Sequence, residues 1–201
     1  MNLTELVNIA EQIGVITFAF SGVAVGIKAR MDVFGLLILG LITALGGGLI
    51  RDVLINDIPV AFTNNRYFIV ALISTGFALT LLPLKISIRN SVIHAADAIG
   101  TGAFAVTGVV IGSNEALSWA PCLVLGMVTA TGGGVLRDIL ASRIPKVLNA
   151  QLNATGSLIG SSITYFLISG DVQLAVIVGA VCTAVIVWIG HKGWISVPSL
   201  H

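Results

Sequence analysis

Charge is the scarcest property of this sequence. Only 10 Lys and Arg and 9 Asp and Glu occur among 201 residues, whereas apolar residues make up 56% of the chain and the mean hydropathy is +1.04. This composition excludes an ordinary soluble domain, in which about a quarter of the residues are charged. The net charge of +1 comes without any basic cluster, so we expect no nucleic acid partner.

The residue types that build metal and catalytic sites are also few. Cys122 and Cys182 stand alone in apolar stretches, which predicts buried free thiols. His94, His191 and His201 are scattered along the chain, with no Cys or carboxylate at metal-ligand spacing. No Ser-His-Asp or Cys-His arrangement stands out. We therefore expect no metal site, no resident cofactor and no enzymatic activity.

Long apolar segments make up most of the chain. Segments of about 20 residues that are almost free of charge predict helices that cross a bilayer. Seven can be drawn, at about 5–27, 33–55, 65–83, 91–112, 119–141, 150–169 and 172–190. The first carries Glu5 and Glu11 and lacks a basic region, so we expect no cleavable signal peptide. The prediction is one all-α, multi-pass transmembrane domain over residues 1–201, located in the cell (inner) membrane.

One ten-residue segment occurs twice, 86 positions apart. Residues 43–52 read Thr-Ala-Leu-Gly-Gly-Gly-Leu-Ile-Arg-Asp, and residues 129–138 read Thr-Ala-Thr-Gly-Gly-Gly-Val-Leu-Arg-Asp. The same offset relates other positions, such as Phe18 and Phe104, which indicates an internal duplication. Each copy, about 5–83 and 91–169, holds three spans, so the second must enter the membrane from the opposite side. We predict two inverted three-helix repeats followed by a seventh helix at about 172–190.

Basic residues are distributed unevenly between the two sides of this predicted bundle. Eight fall on one side and two on the other, which predicts a cytoplasmic C-terminus and an N-terminus outside. The eight are Lys28, Arg30, Lys85, Arg89, Arg137, Arg143, Lys146 and Lys192, and the two are Arg51 and Arg66.

The glycine triplets are the main candidates for function. They are Gly46, Gly47 and Gly48 in the second span and Gly132, Gly133 and Gly134 in the fifth. A phosphate-binding loop would need a following Lys and a preceding strand, and neither is present. Glycines could instead let continuous helices pack closely. The favoured prediction is a break or kink near mid-membrane that exposes carbonyl groups to a water-filled path.

Three threonines lie close to the triplets, at Thr43, Thr129 and Thr131. Their hydroxyl groups could line such a path, or they could bond back to a carbonyl one turn earlier in the helix. The sequence favours neither alternative.

An Arg-Asp pair follows each triplet, Arg51-Asp52 and Arg137-Asp138. A membrane-embedded arginine costs about 2.5–3.5 kcal/mol and needs a partner or water. Neighbouring side chains on a helix point about 100° apart, so the adjacent aspartate is not automatically that partner. Glu11 and Asp97, themselves 86 positions apart, are expected on the matching sides. We predict the pairs Glu11–Arg51 and Asp97–Arg137, one gate at each mouth of a central path; the alternative is arginines that extend to headgroups.

Small residues four positions apart occur in three spans, as Gly22 and Gly26, Gly108 and Gly112, and Gly156 and Gly160. This spacing predicts close helix contacts. The contacts could lie within one protomer or between protomers, and the first and fourth spans are the candidates for the latter.

The duplicated pattern Phe-Ala-x-x-Gly…Gly-x-x-Thr-Ala-x-Gly-Gly-Gly-x-x-Arg-Asp resembles prokaryotic trimeric intracellular cation (TRIC) channels. It is equally similar to related bacterial membrane proteins with a glycine-transporter domain. The resemblance covers almost the whole chain. It implies a homotrimer with one pore in each protomer, kinked at the two triplets, that passes potassium and sodium. The Lys-Glu-Val lipid-binding motif of animal members has no match in the second span.

Two functions follow from these observations. The first is a monovalent cation channel, in which carbonyl oxygens and Asp52 or Asp138 attract cations. The alternative is a secondary transporter of a small zwitterion such as glycine, since inverted repeats also suit alternating access. The expected partners are membrane lipids, potassium and sodium ions and further copies of the chain, with bound lipid left open as a ligand.

Overall fold

The computed structural model describes residues 3–81, 90–148 and 152–192, and every regular element in these ranges is helical. Lys85, Arg89 and His201 lie outside the described residues, as do residues 82–83 of the span predicted at 65–83 and residues 150–151 of the span predicted at 150–169. The helices are α1 (Leu3–Lys28), α2 (Val33–Leu54), α3 (Val60–Thr63), α4 (Asn65–Leu81), α5 (Asn90–Asn114), α6 (Trp119–Leu140), a 3-10 helix (Lys146–Leu148), α7 (Asn153–Leu167) and α8 (Val172–His191).

The all-α class is confirmed, and the predicted spans correspond in order to α1, α2, α4, α5, α6, α7 and α8. Five of these helices, α1, α2, α5, α6 and α8, are long and apolar enough to cross a membrane. Helix α4 is apolar but has 17 residues, and α7 has 15. These helices agree with the multi-pass membrane protein that the composition indicates.

Helix α5 is the most deeply buried element and packs against α1, α6, α7 and α8. Its glycines permit this contact on several sides. A Cβ atom built on Gly100 would lie 2.3 Å from the Phe18 ring of α1, and one on Gly102 would lie 2.4 Å from the Ala180 carbonyl oxygen of α8. Both distances are too short for any side chain, so glycine is what brings these helices together.

The small-residue faces of α1 and α5 are occupied by helices of the same chain. Gly22 of α1 packs against Gly40 and Thr43 of α2, and Gly108 of α5 packs against Gly126 and Thr129 of α6. The close contacts predicted from the glycine spacing are therefore contacts within one protomer. These faces are not available as the contact between protomers that the sequence also allowed.

Matching turns follow the helices of the two halves. Arg30 and Ala116 adopt left-handed backbone conformations with φ of 58° and 54°, as do Asn56 and Ser142 with 60° and 54°. Within each pair the two residues are 86 positions apart. The duplicated sequence therefore forms the same turn after α1 and α5, and again after α2 and α6, which places the Arg-Asp pairs equivalently.

Candidate functional site

Helices α2 and α6 cross in antiparallel orientation at the glycine triplets. Gly47 lies against Thr129 and Gly133 lies against Thr43. The contacts therefore move toward the start of α6 as they move toward the end of α2, which makes the two helices antiparallel. A Cβ atom on Gly47 would lie 2.2 Å from the Thr129 carbonyl oxygen, and one on Gly133 would lie 2.3 Å from that of Thr43. Only glycine allows the two backbones to approach this closely.

Both helices continue without interruption through residues 46–48 and 132–134. The predicted helix break is therefore wrong, and the glycines are close-packing positions of continuous helices, whereas a kink at the triplets stays a prediction. Glycine costs about 1 kcal/mol relative to alanine in a helix. The packing of two backbones in direct contact offsets this cost inside a membrane, where lipid provides no hydrophobic drive for helix association.

The three threonines bond back into their own helices, which decides between the two alternatives left open by the sequence. Each hydroxyl donates to the carbonyl oxygen four residues earlier, at 2.6 Å for Thr43, 2.6 Å for Thr129 and 2.8 Å for Thr131. Thr43 and Thr129 are fully buried. Thr131 is the one of the three that also lines a cavity.

Arg51 sits in a buried ionic cluster with two carboxylates, which we name the Arg51 cluster. Its Nη1 donates to Glu11 Oε1, as predicted, and its Nε donates to Asp52 Oδ1 at 2.8 Å. The second Glu11 oxygen accepts from the Tyr67 hydroxyl at 2.6 Å. The second Asp52 oxygen accepts from the Val60 backbone N–H at 2.9 Å, which ties the loop after α2 to this cluster.

Arg137 occupies the equivalent position in the second half, in what we name the Arg137 cluster. Its Nη1 donates to Asp97 Oδ1, as predicted, and its Nε donates to Asp138 Oδ1 at 2.9 Å. Ser21 bridges the first of these pairs, since its hydroxyl donates to Asp97 Oδ1 and accepts from Arg137 Nη1. Lys146 contributes both its backbone N–H, to Asp138 Oδ2 at 3.1 Å, and its Nζ, to Asp97 Oδ2 at 2.7 Å.

The two arginines are almost completely enclosed by these partners, with 2% and 1% of their surfaces exposed. Enclosure removes the alternative in which they extend to lipid headgroups. A buried charge is tolerated when a counter-charge and further hydrogen bonds compensate for lost hydration. Each guanidinium meets two carboxylates, so the positive charge of neither arginine is left uncompensated.

A cavity of about 20 Å³ adjoins each cluster. All 12 residues that line the Arg51 cavity have their counterparts, 86 positions away, in the lining of the Arg137 cavity. Arg51 and Arg137 each follow the crossing of α2 and α6 by four positions, and these helices are antiparallel. The cavities therefore lie on opposite sides of the crossing.

Each cavity is lined by one phenylalanine from the other half of the chain. Phe104, from the second half of the chain, lines the Arg51 cavity, and Phe18, from the first half, lines the Arg137 cavity. Their rings are in contact, with centroids 5.3 Å apart and planes inclined by 58°, and both residues are 2% exposed. This ring pair separates the two cavities.

The two predicted pairs, Glu11–Arg51 and Asp97–Arg137, are confirmed, whereas the other contacts of the two clusters were not predicted. The pairing of Asp52 and Asp138 with the adjacent arginines was left open, because helix geometry alone points neighbouring side chains about 100° apart. A long guanidinium can nevertheless turn its Nε back to the next residue. The duplication did not single out Tyr67 or Lys146 either. The counterpart of Tyr67 is Asn153, and that of Lys146 is the apolar Val60.

The scattered cysteines and histidines fall at several places in the fold. Cys122 is buried and Cys182 is partly buried, so the prediction of two buried thiols holds for Cys122 alone; neither is in a disulfide. His94 and His191, which are far apart in the sequence, stack with ring centroids 4.4 Å apart. Among the residues that the structure describes, no group of three or more His, Cys, Asp or Glu is arranged to hold a metal ion.

Comparison with known proteins identifies the family of this fold. The family model described as glycine transporter matches twice, at residues 8–83 and 94–169, which are the two halves that carry the two clusters. The chain belongs to this family. Similar proteins include the UPF0126 inner membrane protein YadS of Escherichia coli strain K12, 33% identical over 178 residues, 87% of this chain and 86% of that protein. The UPF0126 membrane protein YvgT of Bacillus subtilis strain 168 is 37% identical over 153 residues, 75% of each chain.

Solved structures with the same fold are TRIC channels, as the resemblance implied. A structure from a study of conductance through TRIC cation channels superposes with a TM-score of 0.86 at 30% identity, over 96% of this chain and 97% of that one. The TRIC trimeric intracellular cation channel orthologue from Rhodobacter sphaeroides superposes with a TM-score of 0.87 at 26% identity, over 94% of this chain and 98% of that one.

Proposed function

We propose that this family member is a passive channel for monovalent cations, potassium and sodium, with a pore inside each protomer. The observation that carries the proposal is the pair of matched cavities on opposite sides of the α2–α6 crossing, separated by the Phe18–Phe104 rings. We propose that the two cavities belong to one closed path, with an apolar constriction at the two rings. The similarity to TRIC cation channels over nearly the whole chain supports this function.

The proposed path runs from the Arg51 cavity past the two rings to the Arg137 cavity. Charge favours cations at the Arg51 cavity, where two carboxylates face one arginine, whereas the Arg137 cavity, which also holds Lys146, is neutral. Since the helices are continuous, Asp52, Asp138 and the cavity-lining Thr131 hydroxyl replace the freed carbonyl groups that the sequence suggested. Opening requires the rings to move apart, and we propose that the Glu11–Arg51 and Asp97–Arg137 pairs act as gates at the two mouths.

The proposed assembly is a homotrimer of a chain with seven membrane-spanning helices, two inverted repeats and a cytoplasmic C-terminus. The antiparallel crossing of α2 and α6 agrees with inverted repeats. The Rhodobacter sphaeroides relative is described as a trimeric channel. Basic residues such as Lys28 and Lys146 lie on the side of the Arg137 cluster, which we assign to the cytoplasm. Membrane lipids surround this assembly, and the proposal needs no resident cofactor.

A second candidate function is the secondary transport of a small zwitterion such as glycine. The description of the matching family as glycine transporter favours it, and inverted repeats suit alternating access. Each cavity has about the volume that a single water molecule needs. A glycine molecule would therefore require a larger rearrangement than a dehydrated cation.

Flux measurements on the purified protein in liposomes distinguish the two functions. Potassium efflux that rises in proportion to the ion concentration, with no glycine uptake, supports the channel. Saturable glycine uptake that is accelerated by glycine on the far side of the membrane would instead establish the transporter. Liposomes without protein provide the baseline for both measurements.

A further inference from the structure

Lys146 breaks the match between the two cavities. It stands at the position of Val60 in the other half, and both backbone N–H groups hold the same aspartate oxygen, Asp52 Oδ2 at 2.9 Å or Asp138 Oδ2 at 3.1 Å. The backbone is therefore placed equivalently in the two halves. One half presents an isopropyl group at this point, and the other presents a flexible chain that ends in an ammonium group.

The substitution changes the charge of one cavity only. The Arg51 cavity is lined by two carboxylates and one guanidinium, which sum to −1, whereas Lys146 brings the Arg137 cavity to zero. The donor to the second oxygen of Glu11 also differs from the donor to the second oxygen of its counterpart, Asp97. In the Arg51 cluster a neutral hydroxyl, that of Tyr67, holds Glu11 Oε2, whereas in the Arg137 cluster the Lys146 ammonium holds Asp97 Oδ2.

Two residues that line the Arg137 cavity carry side-chain oxygens that suit a cation. Asp97 Oδ2 is bonded to Lys146 Nζ at 2.7 Å. Asn153, 9% exposed, lines the same cavity, and its buried side-chain oxygen accepts no hydrogen bond from any described residue. A carboxylate and an amide oxygen are ligands that suit a partly dehydrated monovalent cation.

The Lys146 side chain is the movable part of this site. It is 20% exposed, whereas that of Asp97 is 4% exposed. Its backbone is anchored at Asp138, so the side chain can leave Asp97 for solvent without displacing the loop. The ammonium is therefore the more accessible partner of this ion pair, and it can exchange Asp97 for water while Asp97 keeps its bonds to Arg137 and Ser21.

We propose that Lys146 is a tethered competitor of the permeating cation: its ammonium holds the Asp97 oxygen in the cavity that Asn153 also lines, and a cation must displace it to pass. The inference rests on the proposed channel function and adds a residue that limits conduction at one mouth only. Removing the ammonium leaves a cavity of net charge −1, equal to that of the other mouth.

The test compares potassium flux through liposomes that contain wild-type protein, Lys146→Met, Lys146→Arg or Val60→Lys. Methionine keeps the length of the side chain and removes its charge, and arginine keeps the charge. Flux through Lys146→Met should exceed that of wild type by on the order of two- to tenfold, the effect of one unit charge near a hydrated path. Lys146→Arg should stay close to wild type, and Val60→Lys should lower the flux because it places a second ammonium at the other mouth.

Equal flux through wild type and Lys146→Met, with measurable wild-type current, would overturn the competitor role and leave the channel intact. No potassium flux through any of the four proteins would instead contradict the channel function, and the inference with it. A silent wild type with a conducting Lys146→Met supports both. Size-exclusion chromatography checks folding, and if Lys146→Met does not fold, Val60→Lys decides: reduced flux supports the inference and unchanged flux overturns it.

Discussion

Phe18 and Phe104 hold each other in place at the centre of the bundle, with ring centroids 5.3 Å apart. Each ring lines the cavity of the opposite half of the chain. The two arrangements match each other because the two residues are equivalent positions of the duplicated sequence. An apolar ring pair between two cavities that contain charged side chains disfavours the entry of water. In a channel, such a constriction blocks ions until the rings separate.

Shortening either ring should raise the potassium flux. Phe18→Leu and Phe104→Leu keep an apolar side chain but remove ring volume between the cavities, and we expect severalfold higher flux in liposomes, on the scale of hydrophobic constrictions that open by wetting. Phe20→Leu is the matched control, since Phe20 packs edge-on against Phe77 with centroids 6.0 Å apart and lines neither cavity. The same change in flux for all three variants would argue against the constriction.

Neighbouring glycines of one triplet should respond differently to alanine. A methyl group on Gly47 would lie 2.2 Å from the Thr129 carbonyl oxygen, whereas one on Gly48 would lie 3.8 Å from its nearest neighbour, Arg51 Nη2. Gly47→Ala should lower the thermal unfolding temperature in detergent by several degrees, as helices α2 and α6 separate. Gly48→Ala should be neutral or stabilising by up to about 1 kcal/mol. Equal tolerance at both positions would contradict the close crossing.

Neutralising Glu11 should destabilise the bundle strongly. Glu11→Gln removes one of the two carboxylates that compensate the buried Arg51, and breaking a buried pair costs about 3–5 kcal/mol. Asp57→Asn is the control, because Asp57 is exposed on the loop after α2. Thermal unfolding of Glu11→Gln, of Arg51→Met and of the double variant would show whether the double variant loses less stability than the sum of the two single ones. Additive losses would mean that the two residues are not coupled.

The Tyr67 hydroxyl should have a smaller but measurable effect. It donates to Glu11 at 2.6 Å and lies 2.7 Å from Asn8 Oδ1, so Tyr67→Phe leaves a buried carboxylate oxygen without a donor at a cost of about 1–3 kcal/mol. Tyr165→Phe should have no comparable effect, since the Tyr165 ring contacts Phe166 and its hydroxyl has no described hydrogen bond. Unfolding temperatures that fall equally for both variants would refute this role of Tyr67.

The ion pairs could be predicted because the duplication reduces the number of possible partners. Once Arg51 and Arg137 are known to be equivalent, their partners must also be 86 positions apart, and Glu11 and Asp97 satisfy this condition. Lys146 could not be found in this way, because it has no charged counterpart in the first half. Its role depends on the turn after α6, which brings the start of the 3-10 helix back to Asp138.

The helix break was predicted from local propensity, which three consecutive glycines lower. Propensity describes a helix in isolation, however, and Gly47 and Gly133 are in contact with the carbonyl groups of a second helix. That contact depends on how α2 and α6 cross, which a single sequence does not specify. The same limit applies to Phe18 and Phe104. The sequence shows that they are equivalent positions, but it does not show that each lines the cavity of the other half.

Single-channel recording in planar bilayers under a potassium chloride gradient tests the central claim most directly. The account predicts stepwise currents that reverse near the potassium equilibrium potential and that become larger or more frequent in Phe18→Leu. Wild-type and Phe18→Leu proteins without stepwise currents, together with saturable glycine counterflow by the same preparations in liposomes, would contradict a pore and make the two cavities parts of a transport site.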